Sequence, residues 1–469
     1  MTRRPRGTAA LAWTVLATFA PVACRSSAAP TPAVSIPSSA RTDGGASTAL
    51  PPPAVAGQGE SRESASTRKM LARVEVVRGL RAQTDVPGVI LRRTALIARV
   101  RDHLERELPA EAIRNEGLGL QLLGFIPTAY DYEAAEYDLL EDQLAGYYEP
   151  ADGTMYMADD LPAEETDATL AHELVHALQD QYWNLKDRSK YRPGEGDGSE
   201  ASSALAEGDA TSAMFDVMFE EEAPGRGVRA PDVPDATFVQ RIREGMNQGP
   251  VSKAPRFMRS SLVAPYVYGT LFVHALRRHG GWPAVNKAWH DPPTTTEQIL
   301  HLDKWLSHEA ALAVGAPPYR SLGAGWSVAD EDSEGELGTR LAFEEWMDQE
   351  AAAETARGWG GDREVLLYSG DRHAFAWRLR FDPTPANAGA VRAFAAVSRG
   401  LATATEKPER SFFCRERSDR GPIGVARSGD DLVFVVGPAR VDGTGWSSAG
   451  NCNLARAWAR EITGRSNPN

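Results

Sequence analysis

From Lys69 onward, apolar residues return every three or four positions. MLARVEVVRGLRA and VILRRTALIARVRDHLEREL both carry that spacing, with Arg and Glu between, and predict two helices separated by a Pro87-Gly88 break. The period then changes. YDLLEDQL completes a helix, whereas AGYYEPADGTMYMA alternates around Asp152-Gly153 and predicts a hairpin. TDATLAHELVHALQDQYW returns to helical spacing, with Thr166 or Asp167 placed to cap it. SEASSALAEGDATSAMFDVMF reads as a further helix, and residues 222–252, with Pro and Gly scattered through them, read as loop. PYVYGTLFVHALRRHGGW is a helix ended by Gly280-Gly281, and PPTTTEQILH follows it.

After about residue 325 the texture shifts. ELGTRLAFEEWM is helical, EVLLYSG and HAFAWRLRFD are strand-like, and GAVRAFAAVSRGL is helical. GPIGVARSGDDLVFVVG predicts a hairpin and NLARAWAREI a closing helix. The fold class is therefore α+β: a mainly helical domain over 67–325 with one hairpin, then a small α+β module over 326–469. That module's surface charges read as solvated faces, and its WGGDRE segment (Trp359 to Glu364) as packing.

The pattern is absent upstream. Residues 24–66 are rich in Ala, Pro, Ser and Gly, with almost no large apolar side chains, and read as a disordered tether. Residues 1–23 have a basic start (Arg3, Arg4, Arg6) and an apolar run from about Ala9 to Ala20, too short to span a bilayer. They read as a secretory signal peptide. Its end, Pro21-Val22-Ala23-Cys24, resembles the lipobox of bacterial lipoproteins, although Pro21 stands where leucine is usual. Cys24 is thus a candidate lipid anchor for an exported protein of the cell envelope, with a soluble secreted form as the alternative.

Composition narrows the partners. Of the 469 residues, 42% are hydrophobic and 25% charged, as in globular proteins that bury a core. The net charge of −13, without a cluster of Lys and Arg in the mature chain, argues against nucleic acid. Export would put Cys414 and Cys452 in an oxidising compartment, where a disulfide is the ordinary expectation.

The chemistry concentrates in LAHELVHALQDQ. His172 and His176 stand four apart, about 40° from each other on a helix, with Glu173 beside them. Leu170, Leu174, Val175, Leu178 and Tyr182 fall on the opposite, core-facing side. One turn of rise lets both imidazoles reach one Zn2+ at about 2.0–2.1 Å, and Glu173 can hold the water that the metal acidifies. The metzincin spacing is absent, since Gln179 and Tyr182 occupy the places of its Gly and His. Asp180 lies towards the Glu173 side, as a supporting group or a solvated charge. For the third ligand, Glu200, Ala204, Glu207, Thr211, Met214 and Met218 share one stripe of the following helix. An acid among Ala and Met needs a partner, and zinc supplies one. Glu207 is the candidate, Glu200 its rival, and Gly208 beside it permits a close helix approach. Asp209 points the other way.

These residues, H-E-x-x-H with a glutamate on a later helix, resemble the gluzincin branch of the zincin metallopeptidases. QLAGYYEPADGTMYM, LAHELVHALQDQ, ALAEGDAT, PYVYGTLFVHAL and PPTTTEQILH look like a set of bacterial exported peptidase-like proteins, over roughly residues 70–310. The resemblance implies a zincin-like catalytic domain. In it, His172, His176 and Glu207 bind one Zn2+, Glu173 is the general base, and the strand Thr154–Ala158 is the edge that pairs with a peptide or protein substrate. One departure stands out: Thr211 occupies the place where gluzincins carry an aspartate that orients a histidine, leaving that support to Asp209 or Asp180. An oxyanion donor is also needed, and Tyr266, Tyr268 and His301 are candidates, only one of the two tyrosines being able to face a cleft. His274, His279, His290 and His308 read as surface or packing residues. The alternatives to a peptidase are a zinc-containing envelope lipoprotein that binds a partner without cleaving it, and a chain with no metal.

Overall fold

A computed structural model describes residues 62–246, 249–404, 406–442 and 445–464. The predicted signal peptide, Cys24 and all of the tether before Arg62 lie outside them. The architecture is α+β, with two separate sheets set among the helices.

Helix α1 (Arg62–Arg78) begins inside the predicted tether, so Arg62 to Ser66 are helical. Strand β1 (Gly88–Leu91) takes the front of a segment that the apolar spacing assigned to helix, and α2 (Arg93–Glu107) starts after it. The β-branched Val89 and Ile90 favour the extended form once a partner strand is present. That partner is β3 (Thr154–Ala158), which pairs parallel with β1 and antiparallel with β2 (Gly146–Glu149). The hairpin about Asp152-Gly153 is thus observed, Gly153 taking the positive φ of the turn. Strand β3, however, is the middle of the three-stranded sheet, with both edges paired; β1 and β2 are its edges. The expectation that Thr154–Ala158 is an edge strand is corrected accordingly.

Helices α3 (Ala110–Leu123) and α4 (Tyr132–Gln143) precede the hairpin. Helix α5 (Ala163–Trp183) follows it, preceded by Pro162 and starting before Thr166 and Asp167, neither of which caps it. Pro needs no N–H at that position, and Thr166 instead donates its hydroxyl to the Pro162 carbonyl at 2.9 Å. Every residue from 168 to 179 is buried, so α5 has no open face over that stretch. Tyr182, placed with the core by the helical wheel, is 36% exposed.

Helix α6 (Gly196–Glu222) lies against α5 and against α8 (Arg256–His290), which kinks at Gly280 and Gly281, where the sequence predicts its end, and then resumes. Helix α7 (Asp235–Met246) occupies part of the stretch read as loop. Where α6 and α8 cross, Gly208 meets Gly269 so closely that a Cβ on Gly208 would stand 2.1 Å from the Gly269 carbonyl. Only two glycines permit this crossing.

The second sheet is antiparallel, in the order β4 (Ser327–Asp332), β5 (Trp359–Ser369), β6 (Arg372–Phe381), β9 (Asp431–Asp442), β8 (Ile423–Ser428), β7 (Phe412–Arg415), with β10 (Gly445–Ser448) also on β9. Helices α9 (Gly335–Glu344), α10 (Gln349–Ala356) and α11 (Ala388–Leu401) intervene, and α12 (Cys452–Ile462) closes the chain. Alternation in β9 sends Val433 and Val435 to one face, against Trp458 and Ile462 of α12. Phe434 and Val436 face the other way and join the helical core, in one apolar cluster with Phe257, Leu337 and Phe375. The apolar interior thus continues across residue 326. Cys414 and Cys452 form the expected disulfide, tying β7 to the start of α12. No described helix is long and apolar enough to cross a membrane.

Candidate metal centre

His172 and His176 project from α5 with their Nε2 atoms 3.1 Å apart and their rings nearly perpendicular. Glu207 reaches them from α6. Its Oε2 lies 3.0 Å from His172 Nε2, and its Oε1 3.6 Å from His176 Nε2. His172, His176 and Glu207 are at most 1% exposed. Glu200, the rival third ligand, faces a different cavity. Two residues on one stripe can do this because α6 is long, and its neighbours change along its length.

The polar partners fix the state of one imidazole. Gln179 donates through Nε2 to the Ala206 carbonyl at 3.0 Å, so its Oε1 accepts from His176 Nδ1 at 2.8 Å. His176 therefore carries its proton on Nδ1 and offers a lone pair at Nε2. This support was assigned to Asp209 or Asp180 from the sequence, and both are engaged elsewhere. Asp209 pairs with buried Arg78 at 2.7 and 3.1 Å and accepts from Trp289 Nε1 at 2.8 Å. Removing one partner of such a buried pair costs about 3–5 kcal/mol, which marks it as structural. Asp180 accepts from the Tyr148 hydroxyl at 3.1 Å. Gln179, which the sequence offered only as a mismatch to another spacing, is the orienting residue.

Glu173 is fully buried, and its Oε2 accepts the backbone N–H of Tyr148 on edge strand β2 at 2.9 Å. Tyr266 is buried beside Glu207, its ring centroid 6.1 Å from that of His172. Burial, then the charges of Glu207 and Glu173, raise the Tyr266 hydroxyl well above its usual range and keep it protonated. Tyr268 lies elsewhere: the guanidinium of Arg340 sits 5.0 Å over its ring. His301 is also elsewhere, paired with Glu336 at 2.9 Å. Both line another cleft, so Tyr268 and His301 are corrected as oxyanion candidates and Tyr266 takes that place.

The donor set fits a divalent cation. Bonds of about 2.0–2.1 Å in tetrahedral geometry give ligand–ligand edges of about 3.3–3.4 Å. The observed separations, 3.0, 3.1 and 3.6 Å, straddle that value. Glu207 Oε1 and His172 Nδ1 are buried without a hydrogen-bond partner. With no cation, the charge must come from the imidazoles. Burial lowers His172, while at His176 the pull of Glu207 outweighs burial and lifts the imidazole to about 9. Burial works against ionised Glu207, yet the two histidines hold it below its usual range. Among the described residues, Glu297, Glu309 and Asp382 also converge, but Lys304 pairs with all three.

A cleft of about 50 Å³ leads to Glu173 and His176, between Tyr147 to Ala151 on one side and Leu185 to Lys190 on the other. His103 closes part of it, 3.3 Å from Glu149.

Residues 324–445 match a family model described as a domain of unknown function, DUF8575. The match covers most of the second sheet and none of the residues of the metal centre. No curated protein and no solved structure matches the chain.

Proposed function

We propose that the chain is a zinc metallopeptidase, exported and anchored by lipid at Cys24, that hydrolyses peptide bonds outside the cytoplasm. The observation that carries this reading is the meeting of His172, His176 and Glu207 at one point, with the Glu173 carboxylate beside it. Those three side chains would hold Zn2+, which supplies a Lewis acid and lowers the pKa of water to about 7. Glu173, oriented through Oε2 by the Tyr148 N–H, would take a proton from the attacking water and pass it to the leaving amine. Tyr266 would donate its hydroxyl to the developing oxyanion. Gln179 keeps the His176 proton on Nδ1, away from the centre.

The cleft also supports a second reading. At about 50 Å³ it holds one or two waters and not a peptide. Cleavage therefore requires the β2–β3 hairpin and the Leu185–Lys190 segment to separate, whereas a zinc protein that only binds a partner requires no opening. Glu173→Gln separates the readings. Metal analysis should give one zinc in wild type and variant alike, and casein-peptide hydrolysis should fall about 10²–10⁴-fold in the variant. Unchanged hydrolysis in Glu173→Gln would refute the mechanism, and a zinc-loaded wild type that cleaves nothing would favour the binding protein.

A further inference from the structure

The cleft that holds Tyr268 and His301 has a volume of about 310 Å³. That is the lower end of the about 300–1,000 Å³ usual for small-molecule sites. Tyr268, Leu271, Phe272 and Ala275 form its wall on α8, three and four residues apart on one helical stripe. Tyr268 follows Tyr266 by two residues, about 200° around the helix, so this stripe turns away from the imidazoles. Leu300, His301 and Leu302 enter from the junction of two short helices, Thr296–Leu300 and Leu302–Leu306. Glu336 and Arg340 stand one turn apart on α9, and Ala353 of α10 and Arg357 just beyond it complete the rim. Leu271, Leu300 and Leu302 border the apolar interior but are only partly buried, so the cleft keeps an apolar floor.

Only one acid lines the cleft, and it is satisfied: His301 Nε2 donates to both oxygens of Glu336, at 3.0 and 2.9 Å. Arg357 is 63% exposed and pairs with Glu354 at 3.3 Å. Arg340 is different. Its side chain is 21% exposed, its guanidinium lies 5.0 Å over the Tyr268 ring, and it donates a hydrogen bond to no described residue. Glu344, one turn along α9, lies 3.7 Å from Arg340 Nε, beyond hydrogen-bond reach, and that nitrogen is buried without a partner. The same carboxylate also meets Arg256 at 3.4 Å and accepts from Gln349 at 3.1 Å. Elsewhere the fold answers its half-buried arginines. Arg277 donates to Ser212 and Asp216, and Arg417 to the carbonyls of Leu122, Leu123 and Gly421. A guanidinium offers five N–H donors, and leaving them without acceptors at the mouth of an apolar cleft is costly unless a ligand supplies them.

We propose that this cleft binds a small carboxylate with an apolar body, the carboxylate held by the Arg340 guanidinium and the body lying along Leu271, Phe272, Leu300 and Leu302. The planar fork of an arginine matches a carboxylate through two parallel N–H···O bonds. A single cation that shares its nearest acid with Arg256 suits a monoanion better than a doubly charged phosphate. The aliphatic floor selects against a ligand that is polar throughout, because covering it with hydrocarbon removes apolar surface from water. Amines are repelled by the same guanidinium. The site stands on its own residues and does not depend on a metal at His172 and His176.

The test is calorimetric titration of the full chain with sodium octanoate and, in a separate arm, with N-acetyl-leucine. The first is a bare acyl chain and the second an acylated amino acid. Binding of either with a Kd of about 1 mM or below supports the proposal, and the tighter of the two identifies the source of the carboxylate. Octan-1-ol and N-acetyl-leucinamide, which lack the charge, should bind about tenfold more weakly or worse, and so should inorganic phosphate. Arg340→Gln should weaken carboxylate binding about tenfold or more while leaving Tm near wild type, since it breaks no hydrogen bond within the chain. Arg340→Lys should recover only part of that loss, because it restores the charge without the fork. Ala275→Phe, which fills the cleft from α8, should also weaken binding and serves if Arg340→Gln does not fold. The proposal is overturned if neither carboxylate binds at about 10 mM, if the uncharged analogues or phosphate bind as tightly, or if Arg340→Gln binds like wild type. Zinc content, measured in the same samples, reports on the metallopeptidase reading separately.

Discussion

Glu200 and Glu207 stand two turns apart on one helix and on one stripe of it, yet they belong to opposite kinds of environment. Glu207 meets two imidazoles that hold its charge. Glu200 lines a cavity of other acids, and burial, then the charges of Asp197 and Glu207, push it up to about 8. Residue type and helical phase are the same in both cases. The chemistry is decided by what the neighbouring elements bring to each height of α6.

The strongest way to break this contrast is to exchange the two glutamates' losses. Glu207→Gln should cost more zinc affinity than the about 10–100-fold typical of a change outside the ligand shell, and peptide hydrolysis should disappear with it. Glu200→Gln should leave zinc content and hydrolysis near wild type, and metal analysis beside an activity assay reads both. Tyr266→Phe comes next, with kcat expected to fall about 10²–10³-fold while zinc stays bound. Tyr268→Phe, on the far side of α8, should change kcat little. Gln179→Leu should weaken zinc binding by about 10–100-fold in a competition with a chelator, because His176 then loses the acceptor that fixes its tautomer.

The smallest effect is on stability against pH. Burial foremost lifts Asp330 to about 9, Glu200 to about 8 and Asp332 to about 7. These groups titrate near 4 when unfolded, so the folded chain holds protons that the unfolded chain has released. Their contribution is complete below about pH 4 and is lost as pH rises through 7 to 9. Melting temperatures taken across that window should fall. A slope of the opposite sign would show that these acids are ionised in the folded chain.

Much of this was legible in the sequence, and what escaped it has a common cause. The pairing of His172 with His176 is set by helical rise alone, and the candidate third ligand follows from an acid placed among Ala and Met. Helical phase cannot separate Glu200 from Glu207, because seven residues return to nearly the same angle. It can say that only one of Tyr266 and Tyr268 faces the centre, but not which, because that depends on where α6 crosses α8. The seam of imidazoles looked like an open face because Leu170, Leu174 and Leu178 seemed to fill the core side, and only the packing of α6 shows that both sides are interior. The resemblance implies an edge strand at Thr154–Ala158, and the sequence gives no sign otherwise because the parallel partner of β3, β1, sits more than sixty residues earlier within an apolar run of helical spacing. Gln179 gave no signal, since a buried amide looks like any surface one until its two partners are seen.

The Gly208–Gly269 crossing has a consequence for the centre that no ligand substitution would reveal. The spacing between Glu207 and the turn bearing Tyr266 is set there by missing atoms, since a Cβ on Gly269 would stand 1.9 Å from the Ala204 carbonyl. A single methyl group at either glycine would act as a wedge, prising apart the acid proposed to grip the ion and the phenol proposed to meet the substrate, with every one of those groups still in the chain.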